Sequence, residues 1–168
     1  GTPYVAYDVY ESGVMKVRVK MYDGSTWIPL GTTGFPGEYP SLYISNGVPY
    51  LAYKDSANGD KATVKMYNGT NWVTVGNAGF SAGVAELGPR CCLYVNKDGT
   101  PYVAYADGAN GWKVTVMMYN GTNWVTVGNA GFSPEAASYV SLSVSNEIPY
   151  VCYVDRNGDS VIVMKFSN

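Results

Sequence analysis

Acidic and amide side chains recur in three loops of the sequence and are its first candidates for ligand chemistry. Residues 55–60 and 155–159 each place two carboxylates and an asparagine close together, and Asp107 opens a related loop. Oxygen-only ligands of this kind suit Ca²⁺. The calcium candidates are Asp155, Asn157 and Asp159. The same residue types also satisfy the backbone of an ordinary tight turn, so the turn and the calcium site stay open as alternatives.

A single tryptophan, Trp112, lies in one of these loops between Gly111 and Lys113. It has no counterpart in the other loops, and aromatic rings stack on the flat faces of sugars. We therefore predict Trp112 as a ligand-binding residue, with a partly covered loop residue as the alternative. Four loop carboxylates complete the predicted ligand site: Asp55, Asp60, Asp107 and Asp155.

Composition excludes several kinds of chemistry. The chain has 168 residues and no histidine, which removes Ser-His-Asp and Cys-His nucleophiles and His-ligated zinc. The net charge of -2 and the pI near 5.0 give no basic surface for nucleic acid. No apolar run approaches the roughly 18 residues that a membrane span needs. We predict no cofactor and no catalytic residue, and therefore a protein that is not an enzyme.

The three cysteines do not form a disulfide framework, because the count is odd and two of them are adjacent. Cys152 stands where other repeats have alanine, and Cys92 stands where they have serine. The position of Cys152 is typical of a small buried residue, and Cys92 lies on the inner strand. A Cys91–Cys92 bridge, or a bridge from either to Cys152, stays open as an alternative.

Three sequence marks recur in constant order. Pro-Tyr-x-x-Tyr begins at Pro3, Pro49, Pro101 and Pro149. An Asn-Gly or Asp-Gly pair precedes a tryptophan at Trp27, Trp72 and Trp124. The segment Val-Gly-Asn-Ala-Gly-Phe-Ser occurs at 75–81 and again at 127–133. A period of roughly 50 residues is typical of repeat folds.

Each period contains four short strands, named a to d, and no window shows a convincing helical period. Strand a covers 41–45, 92–96 and 141–145, and strand b is the Pro-Tyr-x-x-Tyr segment. Four antiparallel strands per repeat predict an all-β fold, a β-propeller whose repeat units are blades. A β-sandwich is the alternative. Each repeated tryptophan is expected to pack between two blades.

We predict one repeat array over residues 1–168, with about 14 strands in two complete and two three-stranded blades. The first partial blade is 1–36, the complete blades are 37–83 and 84–134, and the second partial blade is 135–168. The faces of the two end blades would be large and apolar. We expect another copy, or further blades of a longer parent chain, to cover them.

Connections b–c and d–a should emerge on one rim, here called the long-loop rim, because strands alternate in direction. The opposite rim, the turn rim, has only tight turns and is expected to be too flat for a pocket. Any binding site should therefore lie on the long-loop rim.

The consensus of these copies resembles a family of repeats in bacterial secreted and surface proteins. The motifs that carry the likeness are Pro-Tyr-Val-Ala-Tyr and Met-Tyr-Asn-Gly-Thr-Asn-Trp-Val-Thr-Val-Gly-Asn-Ala-Gly-Phe-Ser. The resemblance implies a propeller fold and an extracellular or surface location. It departs at Val9, where other copies have aspartate, and at residues 86–92.

A weaker likeness links 23–27, Asp-Gly-Ser-Thr-Trp, to the Asp-box turn of sialidase-type propellers. That likeness implies a structural turn. Sialidase activity is not carried over, because the family's catalysis needs an arginine cluster and the three arginines here occupy unrelated repeat positions.

Together these features predict a non-enzymatic extracellular binding or scaffolding module, with a glycan as the first candidate ligand. A glycosidase-like hydrolase that uses two loop carboxylates is the alternative from another class, and would need a pair about 5–10 Å apart. A structural repeat of a surface layer or fibre is the third.

Overall fold

A computed structural model describes residues 1–88, 92–158 and 160–166 of the chain. These residues form fifteen β-strands and two one-turn 3-10 helices, Ser56–Asn58 and Gly108–Asn110. The prediction of an all-β fold is confirmed. The two helical turns were not predicted, and they lie in the loops that begin at Asp55 and Asp107.

The strands fall into consecutive antiparallel groups. The first group has three strands: β1 (Tyr4–Glu11), β2 (Val14–Tyr22) and β3 (Trp27–Pro29). The second has four: β4 (Phe35–Ser45), β5 (Val48–Asp55), β6 (Lys61–Tyr67) and β7 (Trp72–Thr74). The third has five: β8 (Ala85–Glu86), β9 (Leu93–Val95), β10 (Pro101–Asp107), β11 (Lys113–Tyr119) and β12 (Trp124–Thr126). The last has three: β13 (Ala137–Ser145), β14 (Ile148–Asp155) and β15 (Val161–Lys165).

These groups have the strand order expected of blades 1 to 4. Strand a of blade 3 is split into β8 and β9, and both pair with β10. This split accounts for fifteen strands where about fourteen were predicted. The start of β4 pairs with β2 through Phe35 and Pro36 before the rest of the strand pairs with β5. Blades 1 and 2 therefore share one continuous sheet.

The hairpin turns are of two kinds. Asn46 and Gly47 both have positive φ, +49° and +79°, and form the expected two-residue turn. Asn68 and Gly69 do not form such a turn, because only Gly69 has positive φ. The Oδ1 atom of Asn68 accepts hydrogen bonds from the amides of Thr70 (3.0 Å) and Asn71 (2.8 Å). This connection is a four-residue loop closed by the asparagine side chain.

The apolar core is divided into three separate clusters, each between two neighbouring blades. Between blades 1 and 2 it contains Val17, Val19, Leu30, Leu51, Tyr53 and Trp72. Between blades 2 and 3 it includes Ala52, Ala62, Val64, Leu87, Val103 and Tyr105. Between blades 3 and 4 it includes Ala104, Val114, Val116, Val140, Val151 and Tyr153. Strand b of each middle blade is thus buried on both faces, as predicted.

Two of the repeated tryptophans pack against these clusters, and each makes an equivalent hydrogen bond to the preceding blade. Trp72 Nε1 donates to the carbonyl of Leu30 at 2.8 Å, and Trp124 Nε1 donates to that of Val75 at 2.9 Å. Each acceptor lies in the preceding blade, so both tryptophans pack between blades as expected. Trp27 does not: it is 43% exposed, because no blade precedes it among the described residues.

The C-terminal end blade is also open. Val161 and Val163 of β15 are 69% and 67% exposed, whereas Val114 and Val116 at the matching positions of β11 are fully buried. Lys16, Arg18 and Lys20 alternate along β2 of the opposite end blade. No helix in the described residues is long and apolar enough to cross a membrane.

Candidate functional site

The b–c loops of blades 2 and 3 are built on buried aspartates. Asp55 Oδ1 accepts a hydrogen bond from the amide of Ala57 and caps the 3-10 turn. Its Oδ2 accepts from Asn58 Nδ2 at 2.9 Å and from Thr63 Oγ1 at 2.8 Å. These contacts fix the loop to the strand that follows it.

Asp107 repeats the arrangement with Ala109, Asn110 and Thr115. Asp55 is 3% exposed and Asp107 is 1% exposed. Their oxygens already accept several hydrogen bonds beneath the loop surface. The structure therefore places both predicted ligand residues under the rim, where their side chains support the loops.

In each loop, one residue near the end of the loop faces outwards from a fixed backbone. Asp60 and Trp112 follow the loop glycine and have φ of +59° and +63°, a conformation that costs free energy outside glycine. The Trp112 amide donates to the carbonyl of Asp107 at 2.8 Å, and the Trp112 carbonyl accepts from the amide of Ala137 at 2.9 Å. Trp112 therefore does have a structural counterpart, Asp60, contrary to the expectation from sequence. Only the side chain differs.

The Trp112 ring is 36% exposed and lies beside a charged cluster. The guanidinium carbon of Arg156 stands 5.8 Å from the ring centroid, and the same guanidinium forms an ion pair with Glu86. A depression of about 150 Å³ opens here. Its lining residues are Tyr39, Lys54, Val84, Ala85, Glu86 and Trp112. We call this depression, together with Arg156, the rim pocket.

Lys54 provides the second cation of the rim pocket. Its Nζ lies 3.1 Å from Glu38 Oε1, 3.6 Å from Asp60 Oδ2 and 5.9 Å from the ring centroid of Tyr39. Burial lowers the pKa of Lys54, but the hydrogen bond and charge of Glu38 and the charge of Asp60 outweigh it, so the pKa is raised overall. Lys54 is thus a permanent cation near neutral pH, and both carboxylates contact it.

Tyr39 enters the rim pocket from a distorted strand. It has φ of +56° in a β-bulge between Glu38 and Ser41, and its amide donates to Asp8 Oδ2 at 2.9 Å. Tyr139 has φ of +53° in the matching bulge of β13. Bulges re-aim side chains next to binding sites. The sequence signal for this feature was the Tyr-x-Ser-Leu run that occurs in both copies.

The remaining predicted residues are spread over the rim. Asp155 Oδ1 accepts from the amide of Asn157 at 2.9 Å, and Asn157 Nδ2 donates to Glu135 at 3.0 Å. Asp159 lies outside the described residues. Within the part of the chain that the structure describes, no group of three or more acidic, cysteine or histidine side chains could hold a metal ion. The Asp155 loop contributes to the rim pocket through Arg156.

The cysteines lie away from this site. Cys92 is buried in the cluster between blades 2 and 3, and Cys152 is partly exposed on β14. Cys152 forms no disulfide in the described residues. The alternative Cys91–Cys92 bridge includes Cys91, which lies outside the described residues.

The turn rim also carries depressions, so the expectation that it would be too flat was wrong. One of about 520 Å³ opens between blades 1 and 2, lined by Leu30, Val48, Met66 and turn backbone. Another of about 300 Å³ is lined by Tyr94, Asn96, Lys97, Asp98, Val144, Asn146 and Glu147. The larger one has no charged lining residue. The rim pocket combines an aromatic face with converging charged groups, which is the usual composition of a specific site.

No protein-family model and no curated protein matches this sequence. Solved structures do match. Trypanosoma rangeli sialidase in complex with the inhibitor DANA superposes with a TM-score of 0.68 at 10% identity over 98% of this chain and 29% of that one. A Hadza microbial sialidase matches with a TM-score of 0.62 at 12% identity over 98% and 42%. The Aleuria aurantia lectin in complex with Fucα1-6GlcNAc gives 0.54 at 16% identity over 99% and 62%.

These likenesses show the fold. Together with the antiparallel four-stranded groups they confirm the predicted β-propeller. The chain spans about 29% of the length of the Trypanosoma rangeli sialidase that it matches.

Proposed function

We propose that this protein is a non-enzymatic carbohydrate-binding module of the cell exterior, and that the rim pocket holds the sugar. One observation carries the proposal: the Trp112 ring is presented on a strained, doubly hydrogen-bonded backbone beside Arg156 and Lys54. A rigid aromatic face supplies apolar contact area for a sugar ring. Charged side chains around it supply hydrogen-bond partners for hydroxyl groups.

The charges of the rim pocket favour a neutral sugar. Two cations, Lys54 and Arg156, are paired with three carboxylates, those of Glu38, Asp60 and Glu86. The pocket therefore carries an excess of negative charge, which would repel a sugar acid. Its volume of about 150 Å³ is small for a ligand site, so we propose a single terminal neutral hexose or deoxyhexose as the ligand.

The structural neighbours support a glycan ligand in general terms. Two Trypanosoma rangeli sialidase structures contain sialic acid and 2,3-difluorosialic acid, and the Aleuria aurantia lectin structure contains Fucα1-6GlcNAc. Those ligands belong to those proteins. For this chain they make a glycan the first class of compound to test, and an extracellular or surface location the natural setting.

A glycan array followed by calorimetry tests the proposal. We expect binding to neutral glycans, and we expect Trp112→Ala to weaken it at least tenfold because the stacking surface is lost. Trp27→Ala is the matched control, since Trp27 is exposed to a similar degree but lies on the end face of blade 1. A protein that binds no glycan, or whose binding survives Trp112→Ala, contradicts the proposal.

The glycosidase alternative has one supporting observation: Glu38 and Asp60 lie close enough together to contact the same ammonium, that of Lys54. Against it, both carboxylates are already engaged by that ammonium. Arg18 and Arg156 lie in different end blades, each paired with a glutamate. Turnover of fluorogenic glycosides that Glu38→Gln abolishes would favour the hydrolase. Absence of both turnover and glycan binding would favour a structural role in a surface layer or fibre.

We also propose that protein covers the open end faces, either another copy or further blades. The observation behind this is the exposure of Val161 and Val163 at positions that are buried in blade 3.

A further inference from the structure

The outer strand d of each of the first three blades is attached by a repeated backbone hydrogen bond. The carbonyls of Val19, Val64 and Val116 accept from the amides of Leu30, Val75 and Val127 at 3.0, 2.9 and 2.8 Å. These three carbonyls occupy one position of strand c. They lie opposite Ala6, Ala52 and Ala104 of strand b.

Val163 is the fourth member of this set. It lies opposite Cys152, which is the residue of β14 that matches those alanines. β15 pairs with β14 on its inner side, and its other edge carries no strand among the described residues. Among the described residues, the outward carbonyl of Val163 therefore has no strand d amide opposite it, whereas the matching carbonyls of the other three blades each accept from one.

Next to this edge lies a partly filled aromatic slot. Between blades 2 and 3, the ring of Trp124 stacks on Phe80 at 4.0 Å, and an atom added at Gly76 would meet both Trp124 and Tyr119. Between blades 3 and 4, Phe132 matches Phe80, and an atom added at Gly128 would meet only Phe166.

Two aromatic rings line this slot: Phe132 at its base and Phe166 at one side. Their ring centroids are 4.7 Å apart. Among the described residues, no strand d tryptophan lies in this slot. The indole of such a tryptophan would find an acceptor in the carbonyl of Val127, since Trp72 and Trp124 use those of Leu30 and Val75.

We infer that the outer edge of β15 is a strand-addition site, and that its occupant is an extended segment of the repeat's own outer-strand type, Asn-Trp-Val-Thr-Val-Gly, supplied by a further repeat. The backbone ladder gives affinity and the tryptophan slot gives register, as in other cases of strand addition. The exposed valines of β15 continue the apolar face that strands c of blades 2 and 3 bury. This site is separate from the rim pocket and does not depend on glycan binding.

A labelled peptide with the sequence of residues 121–129 tests the inference by fluorescence anisotropy against the full chain. We expect saturable binding, and at least tenfold weaker binding for a peptide with Trp124→Ala, which empties the slot. A peptide with Val127→Pro lacks the amide that would bond to Val163 and should also bind at least tenfold more weakly.

On the protein, Lys165→Pro removes an outward amide of β15 while the amides that face β14 stay intact. Lys165 matches Met118, which pairs with Val125 of strand d in blade 3. We expect Lys165→Pro to abolish peptide binding, and we expect Lys165→Thr, which keeps the donor, to preserve it. Hydrogen exchange should show protection of the Lys165 amide on binding. If Lys165→Pro unfolds the chain, the peptide variants and the exchange pattern still decide.

Two results would overturn the inference. One is absence of saturable binding up to millimolar peptide. The other is concentration-dependent self-association that protects β15 and excludes the peptide, because the occupant would then be a second copy.

Discussion

At the scale of the residue, the loop aspartates show how a ligand-like pattern can have a structural cause. Asp55 and Asp107 look from sequence like ligands for a metal or a sugar, yet each accepts hydrogen bonds from a backbone amide, an asparagine and a threonine below the surface. Asp60 and Trp112, five residues further along, face the solvent. Composition alone could not separate the buried from the outward position, because both belong to the same turn.

Replacement of Asp107 by alanine should destabilise the fold. The change leaves the buried Thr115 hydroxyl and the Asn110 amide without their acceptor, which costs about 2–4 kcal/mol. Asp98→Ala is the matched control, because Asp98 caps an exposed turn through one bond to the Thr100 amide. Urea unfolding measures both changes. Equal, small effects at the two positions would contradict the supporting role assigned to Asp107.

At the scale of the element, the repeated tryptophans show which features follow from sequence and which follow from position. Their spacing predicted strand d and packing between blades, and Trp72 and Trp124 confirm it. Trp27 has the same local sequence but lies on an end blade, so its ring stays exposed. The local sequence pattern determines that a segment forms a strand and which face of the strand points inward. Burial of that face requires a neighbouring blade.

Local sequence could not predict the rim pocket either. Trp112 was predicted as a ligand-binding residue, but its neighbours in the pocket, Tyr39, Lys54, Glu86 and Arg156, come from three blades. Their convergence depends on the rotation from one blade to the next, which no short motif encodes.

Truncation of two tryptophans at one repeat position should therefore have different costs. We expect Trp72→Ala to lower the free energy of unfolding by about 3–5 kcal/mol, because it removes a buried ring and a hydrogen bond. Trp27→Ala should change it by less than about 1 kcal/mol, since Trp27 is 43% exposed and Trp72 is 9% exposed. Thermal or chemical melts compare the two, and a similar loss for both would contradict the proposed division between inner and end blades.

At the scale of the whole molecule, tyrosines are buried in all three inter-blade clusters. Burial, assisted by the charges of Asp55, Asp107 and Asp155, raises the pKa of Tyr53, Tyr105 and Tyr153. The folded state therefore keeps protons that the unfolded chain loses above its ordinary tyrosine pKa of about 10. A group with a raised pKa contributes fully below that pH and loses its contribution as the pH rises.

We accordingly expect stability to fall as the pH rises from about 9 towards 11, the range around the ordinary tyrosine pKa. Tyr105→Phe should reduce this fall, because it removes one buried ionisable hydroxyl, which donates a hydrogen bond to the Met117 sulfur at 3.3 Å. Tyr10→Phe is the control, since Tyr10 is exposed. Melting temperatures measured across this pH range test the expectation, and identical profiles for the two variants would contradict it.

The division of the apolar core into three clusters has a consequence for how the number of repeats in such a molecule can change. Because the described residues form three clusters and no apolar centre shared by all four blades, the total stability is approximately a sum of increments, one for each interface between adjacent blades. Insertion or deletion of one whole period then adds or subtracts a single increment and leaves the others intact. Duplication of a coding segment could extend this scaffold without any compensating substitution elsewhere.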